Sequence, residues 1–317
     1  MLDAHQLNVF LIAAETLNFT EAAQRLHMSQ PSVSQHIQSL EQQFGLPLFN
    51  RAGRHLELTE AGIMLVPLAR EMVGRSVQIK ETMESLKGDV YGHLLVGCST
   101  TPGKYVLPQL LAEFHRHHPR VRVTCQVAPQ KTALQTLCDG EVHFALASEY
   151  LISCKDVEFR QFMVDPVVLI CPLNHPWAAR TEIEPEELRE ADFILREENS
   201  GTRTVMRAGL EAHGIAEDEL NVLLTLGNSE AIAIAVQEGI GVGFVSKLVY
   251  TRLVENRVAT VKIRGMELER DIFIGRNTRI PASAAQTAFW GFIATHQTIF
   301  TGQPLNLPAE EEIYTTT

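Results

Sequence analysis

Three short polar runs hold most of the ligand-binding chemistry in the later part of the chain. They are Ser99-Thr100-Thr101 just before Pro102, Asn199-Ser200-Gly201-Thr202-Arg203, and Asn228-Ser229. Each follows an apolar stretch with strand character and opens a helical one, so hydroxyls, a carboxamide and free backbone N–H groups gather at helix starts. Converging helix starts suit an anion such as a carboxylate, sulfate or phosphate, because the helix N-terminus adds partial positive charge to the donors. Any one run alone reads as an ordinary N-cap. The coincidence of three leaves Ser99, Thr100, Thr101, Thr202, Arg203 and Asn228 open as anion ligands beside the capping reading. Arg203 either neutralises the anion or pairs with Glu197 or Glu198.

A second set, near the N-terminus, has a different chemistry. Gln30, Ser34, Gln35, Gln38 and Gln42 share the outer face of a helix whose inner stripe is Val33, Ile37, Leu40 and Phe44. Uncharged amides and hydroxyls on a helix face hydrogen-bond base edges in the DNA major groove. The elements that would carry this face are short. Leu7, Phe10, Leu11 and Ala14 give a first amphipathic helix. Thr20 is the expected cap of a second helix over 21–26, and Ser29 with Pro31 opens the third, which Gly45 ends. Residues 47–59 then read as a small hairpin with Arg51 and Arg54 at its tip. Those arginines meet the phosphate backbone or minor groove, or are ordinary solvated side chains.

These residues carry a specific resemblance. The run from Phe19-Thr20-Glu21-Ala22-Ala23 through Ser29-Gln30-Pro31-Ser32-Val33-Ser34-Gln35-His36-Ile37, with Gly45-Leu46-Pro47-Leu48-Phe49-Asn50-Arg51 and Leu58-Thr59-Glu60-Ala61-Gly62, resembles the LysR-type transcription regulator signature over roughly the first 60 residues. The resemblance implies operator contacts at Gln30, Pro31, Ser34, Gln35 and Arg54, to which the local pattern adds Ser32 and Arg51. Many members have arginine where this chain has Gln35. The exchange removes a guanine-reading fork and a positive charge, so the family's base preference does not carry over.

Downstream, Leu65, Met72, Ile79 and Leu86 recur every seven residues, with Leu68 and Met83 beside them. A heptad of apolar residues on a helix asks for a partner helix, so the segment 60–88 is expected to dimerise. A dimer places two reading helices on successive turns of double-stranded DNA and implies a pseudo-palindromic operator. The family resemblance points to a homodimer or homotetramer.

From residue 90, short apolar strands alternate with helical patterns, the rhythm of a mostly parallel α/β sheet. Crossing points near 163–166 and 264–270 divide it into two Rossmann-like lobes, similar to the periplasmic-binding-protein-like effector domain of LysR regulators. The expected order is a winged helix-turn-helix over 1–59, a linker helix over 60–88 and an effector domain over 89–300. Lobe I takes 89–164 and 270–300, lobe II takes 165–269, and 301–317 form a flexible acidic tail. The run 199–203 is most similar to branches of the family that control carbon dioxide fixation and sulfur or nitrogen assimilation.

Composition limits the alternatives. The formal net charge is -11, carried mostly by the effector region, so DNA recognition has to come from a local surface rather than from the field of the whole chain. No GxSxG elbow, GxxxxGK[ST] loop or GxGxxG fingerprint is present, and the glycines at 239, 241 and 243 have the wrong spacing for a dinucleotide loop. An enzyme, a metal site and a bound cofactor are therefore not expected. No run of about 18 apolar residues suggests a membrane span, and Asp3, His5, Gln6 and Asn8 do not fit a signal peptide, so the protein is expected in the cytoplasm. The five cysteines at 98, 125, 138, 154 and 171 form no CxxC pair and read as reduced, small core residues rather than a disulfide framework. The competing trigger is cysteine oxidation on the same scaffold, with Cys138 and Cys154 as the thiols to replace.

Overall fold

A computed structural model describes residues 1–50, 56–148, 154–279 and 281–296, which divide into two units, the first holding residues up to 92 with 281–284 and the second 93–279 with 285–296. In the first unit, α1 (Ala4–Thr16) starts where the Asp3 carboxylate accepts the His5 N–H at 2.9 Å. Helix α2 (Phe19–Leu26) begins two residues earlier than the sequence suggests, and Thr20 lies inside it. The cap is Asn18, whose side-chain oxygen accepts from the N–H groups of Thr20 and Glu21 at 2.9 and 3.2 Å. One carboxamide oxygen thus covers two orphan amides. Helix α3 (Gln30–Phe44) is capped by Ser29 and closes at Gly45, whose φ of 69° suits a residue without Cβ.

Val33, Ile37 and Leu40 are fully buried with Leu7, Phe10 and Ala13 of α1, whereas Phe44, one turn further on, is exposed. Strands β1 (Phe49–Asn50) and β2 (Glu57–Leu58) pair antiparallel as a short hairpin. Its base is fixed by Glu41, whose carboxylate accepts from the Leu48 and Phe49 amides at 2.9 and 3.2 Å. The 26-residue α4 (Glu60–Ser85) is capped by Thr59 and runs on through Pro67. A Cβ on Gly62 would stand 2.3 Å from the Leu48 carbonyl oxygen, so only glycine lets the helix start this close to the hairpin.

The second unit begins with β3 (Gly92–Cys98), a turn of π-helix at Pro102–Val106, α5 (Leu107–His117), β4 (Val121–Val127), α6 (Gln130–Cys138) and β5 (Phe144–Ala147). Then come the 16-residue β6 (Val157–Pro172), β7 (Glu182–Ile183), β8 (Asp192–Arg196), α7 (Gly201–Ala212) and β9 (Asn221–Leu226). The unit ends with α8 (Ser229–Gln237), β10 (Val242–Ser246), the short α9 (Lys247–Val249), β11 (Val258–Ile263), β12 (Glu269–Asn277) and α10 (Ala284–His296). The strands run in the order β4-β3-β5-β12-β6-β10-β8-β9.

The sheet is mixed, which corrects the expected mostly parallel one. β3/β5, β10/β8 and β8/β9 are parallel, as helical crossovers require. β12 against β5 and β6, and β10 and β11 against β6, are antiparallel. The long β6 causes this: its first part pairs with β12, and from Val167 onward it pairs with β10 and β11. Two elements therefore carry the chain from one half of the sheet to the other.

On the β8/β10 half, Phe193 and Phe244 stack in one core with Met206 and Leu210 of α7, while Ile194 and Val245 face the opposite way into a second core with Ile232 and Val236 of α8. On the other half, Phe114, Phe144, Phe289 and Phe292 pack edge to face. A Cβ on Gly241 would lie 2.5 Å from the Asp192 carbonyl oxygen and one on Gly243 2.6 Å from Ile232, so these glycines serve close packing.

The cysteines depart from the expectation. Cys138 and Cys154 form a disulfide with Cα atoms 5.8 Å apart, and Cys125 is exposed rather than in a core. The end of α6 and the approach to β6 meet only in the folded chain, and sequence spacing did not show it. Among the described residues no helix is long and apolar enough to cross a membrane.

Candidate functional site

The residues expected to meet nucleic acid share the outer face of α3. Gln30, Pro31, Gln35, Gln38 and Gln42 are exposed on it and Ser32 and Ser34 are half-buried, above the Val33-Ile37-Leu40 stripe that anchors the helix. Between α2 and α3 the chain turns through His27, which is left-handed at φ 54°, the kind of short turn that joins the helices of a helix-turn-helix. Arg25 contributes no open charge, since it pairs with Glu15 at 3.1 Å and Glu21 at 2.9 Å, and these bonds raise its pKa. Arg51 and Arg54 lie outside the described residues.

Along α4, Leu68, Met72, Ile79, Met83 and Leu86 are exposed, and Ile63 and Met64 extend the apolar surface. Leu65 differs from the expectation: it is half-buried against the first unit's own core, because that turn of the helix lies over α1.

The second surface lies where β3, β5 and β8 end. Ser99 continues the β3 pairing by donating its N–H to the Leu146 carbonyl at 3.0 Å, and Thr101 is buried with no capping bond to the π-helical turn it begins. Opposite, α7 starts at Ser200, whose hydroxyl accepts the Arg203 N–H. A Cβ on Gly201 would sit 2.1 Å from the Ser148 hydroxyl oxygen at the end of β5, so this glycine permits contact between the halves of the sheet. Ser148 itself donates to Gln130 at 2.6 Å. Asn228 caps α8 by accepting the Ala231 N–H at 2.7 Å. Lys104, in the turn after Thr101, pairs with Glu230 of α8 at 3.0 Å. Burial, with Glu230 adjoining, pushes the Tyr105 hydroxyl up to about 12. These contacts bring all three polar runs to one junction.

The electrostatic centre of that junction is a pair the sequence did not reveal. Asp165 of β6 is completely buried, and Arg270 of β12 nearly so. Arg270 donates from Nε and Nη2 to one carboxylate oxygen at 2.8 and 2.6 Å, and the Ser246 hydroxyl donates to the other at 2.7 Å. The third guanidinium nitrogen, Nη1, donates to the Thr202 hydroxyl at 3.2 Å. The two partners are 105 residues apart, and only the side-by-side course of β6 and β12 joins them. Arg196, at the end of β8, donates to Ser229 at 2.8 Å and forks onto Glu197 at 2.7 and 2.8 Å.

Arg203 is a correction. Its guanidinium is bound by Glu217, with Nη1 donating to the Arg196 carbonyl at 2.8 Å, while Glu197 and Glu198 act on it only through longer-range attraction. Arg203 and Arg207 together hold the Glu217 carboxyl below its ordinary range. Arg203 is thus held by Glu217 as Arg270 is by Asp165; of the two, Arg270 turns its remaining nitrogen, Nη1, to the Thr202 hydroxyl.

Comparisons with known proteins identify the family. The pattern of the bacterial regulatory helix-turn-helix protein, LysR family, matches residues 4–63, and that of the LysR substrate binding domain matches residues 87–298. The chain is 32% identical over 290 residues to a RuBisCO operon transcriptional regulator of Allochromatium vinosum, covering 91% of this chain and 94% of that one. Its fold is similar to full-length CbnR in complex with its target DNA, with a TM-score of 0.65 at 21% identity, over 92% of this chain and 99% of that one. It is also similar to the CcmR regulatory domain of Synechocystis PCC6803 in complex with 2-PG, with a TM-score of 0.60 at 24% identity, over 66% of this chain and 99% of that one. With a DNA-binding helix-turn-helix, an effector-type α/β domain and regulators rather than enzymes among its relatives, this chain belongs to the LysR family of transcription regulators.

Proposed function

We propose that this regulator senses a small anionic metabolite at the junction of the three polar runs and transmits binding to its DNA-reading helices. The single observation that carries the reading is Arg270, a buried guanidinium whose Nη1 reaches Thr202 at a helix start. Buried cations are costly, and one held between the antiparallel β6 and β12 with a nitrogen on the first turn of α7 suits an incoming carboxylate or phosphate. Ser99, Thr100, Thr101 and the α8 start at Asn228 supply donors around it. That CcmR binds 2-PG and QuiR binds shikimate on the same fold supports an effector of this chemical class.

In this reading residues 1–59 read DNA, 60–88 dimerise and 89–300 sense the effector as two lobes. Gln30, Pro31, Ser32, Ser34, Gln35, Arg51 and Arg54 contact a pseudo-palindromic operator. The exposed apolar stripe of α4 joins two copies. The protein works in the cytoplasm, where such an operator lies. Lobe closure over the anion shifts the population of arm positions.

A thermal-shift titration of the full chain with 2-PG, shikimate, sulfate and inorganic phosphate tests the proposal. At 100 times its dissociation constant a ligand specific for the folded state adds about 2.7 kcal/mol. A concentration-dependent rise that disappears in Thr202→Ala supports the site. A flat response to all four probes, or a rise unchanged in Thr202→Ala and Arg270→Gln, refutes it.

A further inference from the structure

Two cysteines that the anion site does not use stand beside it. The sulfur atoms of Cys98, the last residue of β3, and Cys125 on the neighbouring edge strand β4 are 3.3 Å apart. That is a thiol–thiol contact, and closing it to the ~2.05 Å of a disulfide needs an approach of a little over 1 Å. The two thiols differ in access: Cys125 is exposed, whereas Cys98 is completely buried. The contact with Cys98 also lowers the pKa of Cys125, while Cys98 itself is pushed up by the same contact and by burial.

The pair has a mechanical partner. A Cβ placed on Gly103 would lie 2.5 Å from the Cys98 sulfur and 2.9 Å from Val127, so the π-helical turn rests directly on this sulfur. That turn follows Ser99-Thr100-Thr101 and carries Lys104, which pairs across the junction with Glu230. Whatever moves the Cys98 sulfur moves the floor beneath the polar run.

We propose that Cys98 and Cys125 form a hydroperoxide-reactive dithiol site whose oxidation reshapes the segment 99–104. The Cys125 thiolate attacks the outer peroxide oxygen, the O–O bond breaks, and Cys125 becomes a sulfenic acid with release of water or alcohol. The Cys98 thiol then attacks that sulfur, its proton passes to the sulfenic oxygen as the S–S bond forms, and that oxygen leaves as water. Overall, two thiols lose two electrons and two protons, and the peroxide is reduced. The site is independent of the anion reading and separate from the Cys138–Cys154 bond. Cys171, buried in the other half of the sheet with its thiol pushed up to about 11, serves as an unreactive internal reference.

The test uses the full chain, exposed to hydrogen peroxide, then alkylated under denaturing conditions and mapped by peptide mass spectrometry. The expected result is a peptide pair joined through Cys98 and Cys125, cleaved by dithiothreitol, with Cys171 alkylated. Cys125→Ser, at an exposed position, should leave Cys98 alkylatable, and Cys98→Ala should stop Cys125 at a sulfenic acid that dimedone captures. In the oxidised wild type, proteolysis at Lys104 should change rate at least several-fold relative to Arg180 in the same digest. Full alkylation of Cys98 and Cys125 after peroxide, a Cys125–Cys125 link between copies in place of the Cys98 bond, or equal cleavage at Lys104 before and after oxidation overturns the proposal.

Discussion

Replacing Asp165 by alanine should destabilise the second unit more than any surface change. The carboxylate has no solvent exposure, Arg270 is 6% exposed at its side chain, and no water can stand in for the missing charge. Three hydrogen bonds end on Asp165: two from Arg270 at 2.6 and 2.8 Å and one from Ser246 at 2.7 Å. Removing it strands a guanidinium in the interior, and breaking a buried pair from one side costs about 3–5 kcal/mol. For a unit of this size each kcal/mol lowers the melting temperature by about 2–4 °C, so the expected drop is about 6–20 °C.

The double variant Asp165→Leu/Arg270→Met leaves neither charge behind and should recover most of the loss, since apolar replacement of a whole buried pair is often near neutral. The assay is urea and thermal unfolding of the full chain by circular dichroism, following the transition that belongs to the second unit. A loss below about 1 kcal/mol in Asp165→Ala, or a double variant no better than the single one, refutes the view that Arg270 is a desolvated cation held by one partner.

Further expectations follow from other contacts. Gly201→Ala drives a Cβ into Ser148 and should cost about 1–3 kcal/mol, relieved in part by Ser148→Gly, as read by urea unfolding. Lysine at both Leu68 and Ile79, exposed on α4, should lower the sedimentation-equilibrium mass toward that of one chain while leaving the melting curve nearly unchanged. Glu41→Ala leaves the Leu48 and Phe49 amides without their acceptor, and hydrogen exchange at those amides should speed up as the hairpin loosens by about 1–3 kcal/mol. Burial, with His93 nearby, lowers the pKa of His143 to about 4, and its Nδ1 accepts the Leu95 N–H. The unfolded chain therefore binds the extra proton first, and stability should fall as pH drops from about 6.5 to about 4, by up to about 3 kcal/mol. His143→Gln should flatten that acid limb in pH-dependent urea midpoints.

The local features were legible because their signals are local. The Val33-Ile37-Leu40 stripe, the Ser29 cap, Pro31 and Gly45 lie within one helix, and period and capping chemistry specify it without help from the rest of the chain. The anion-type polar runs were visible for the same reason: caps and hydroxyls sit next to the helices they begin.

What the sequence left open were the relations between distant segments. β6 reads locally as a strand only over its apolar end, and pairing with β12 makes it 16 residues long and turns a parallel sheet into a mixed one. Arg203 and Arg270 cannot be ranked as anion partners from their neighbours in sequence, because the deciding acids are Glu217, beyond the end of α7, and Asp165, 105 residues away. The cysteine pairs 98/125 and 138/154 likewise depend on where strand and helix ends meet. The sequence by itself determined the helix-turn-helix, the apolar stripe of α4 and the alternating α/β rhythm, all written in periodicity and caps. Only the tertiary structure decided which charges are buried together and which thiols touch, because desolvation and contact depend on neighbours that the order of residues along the chain does not specify.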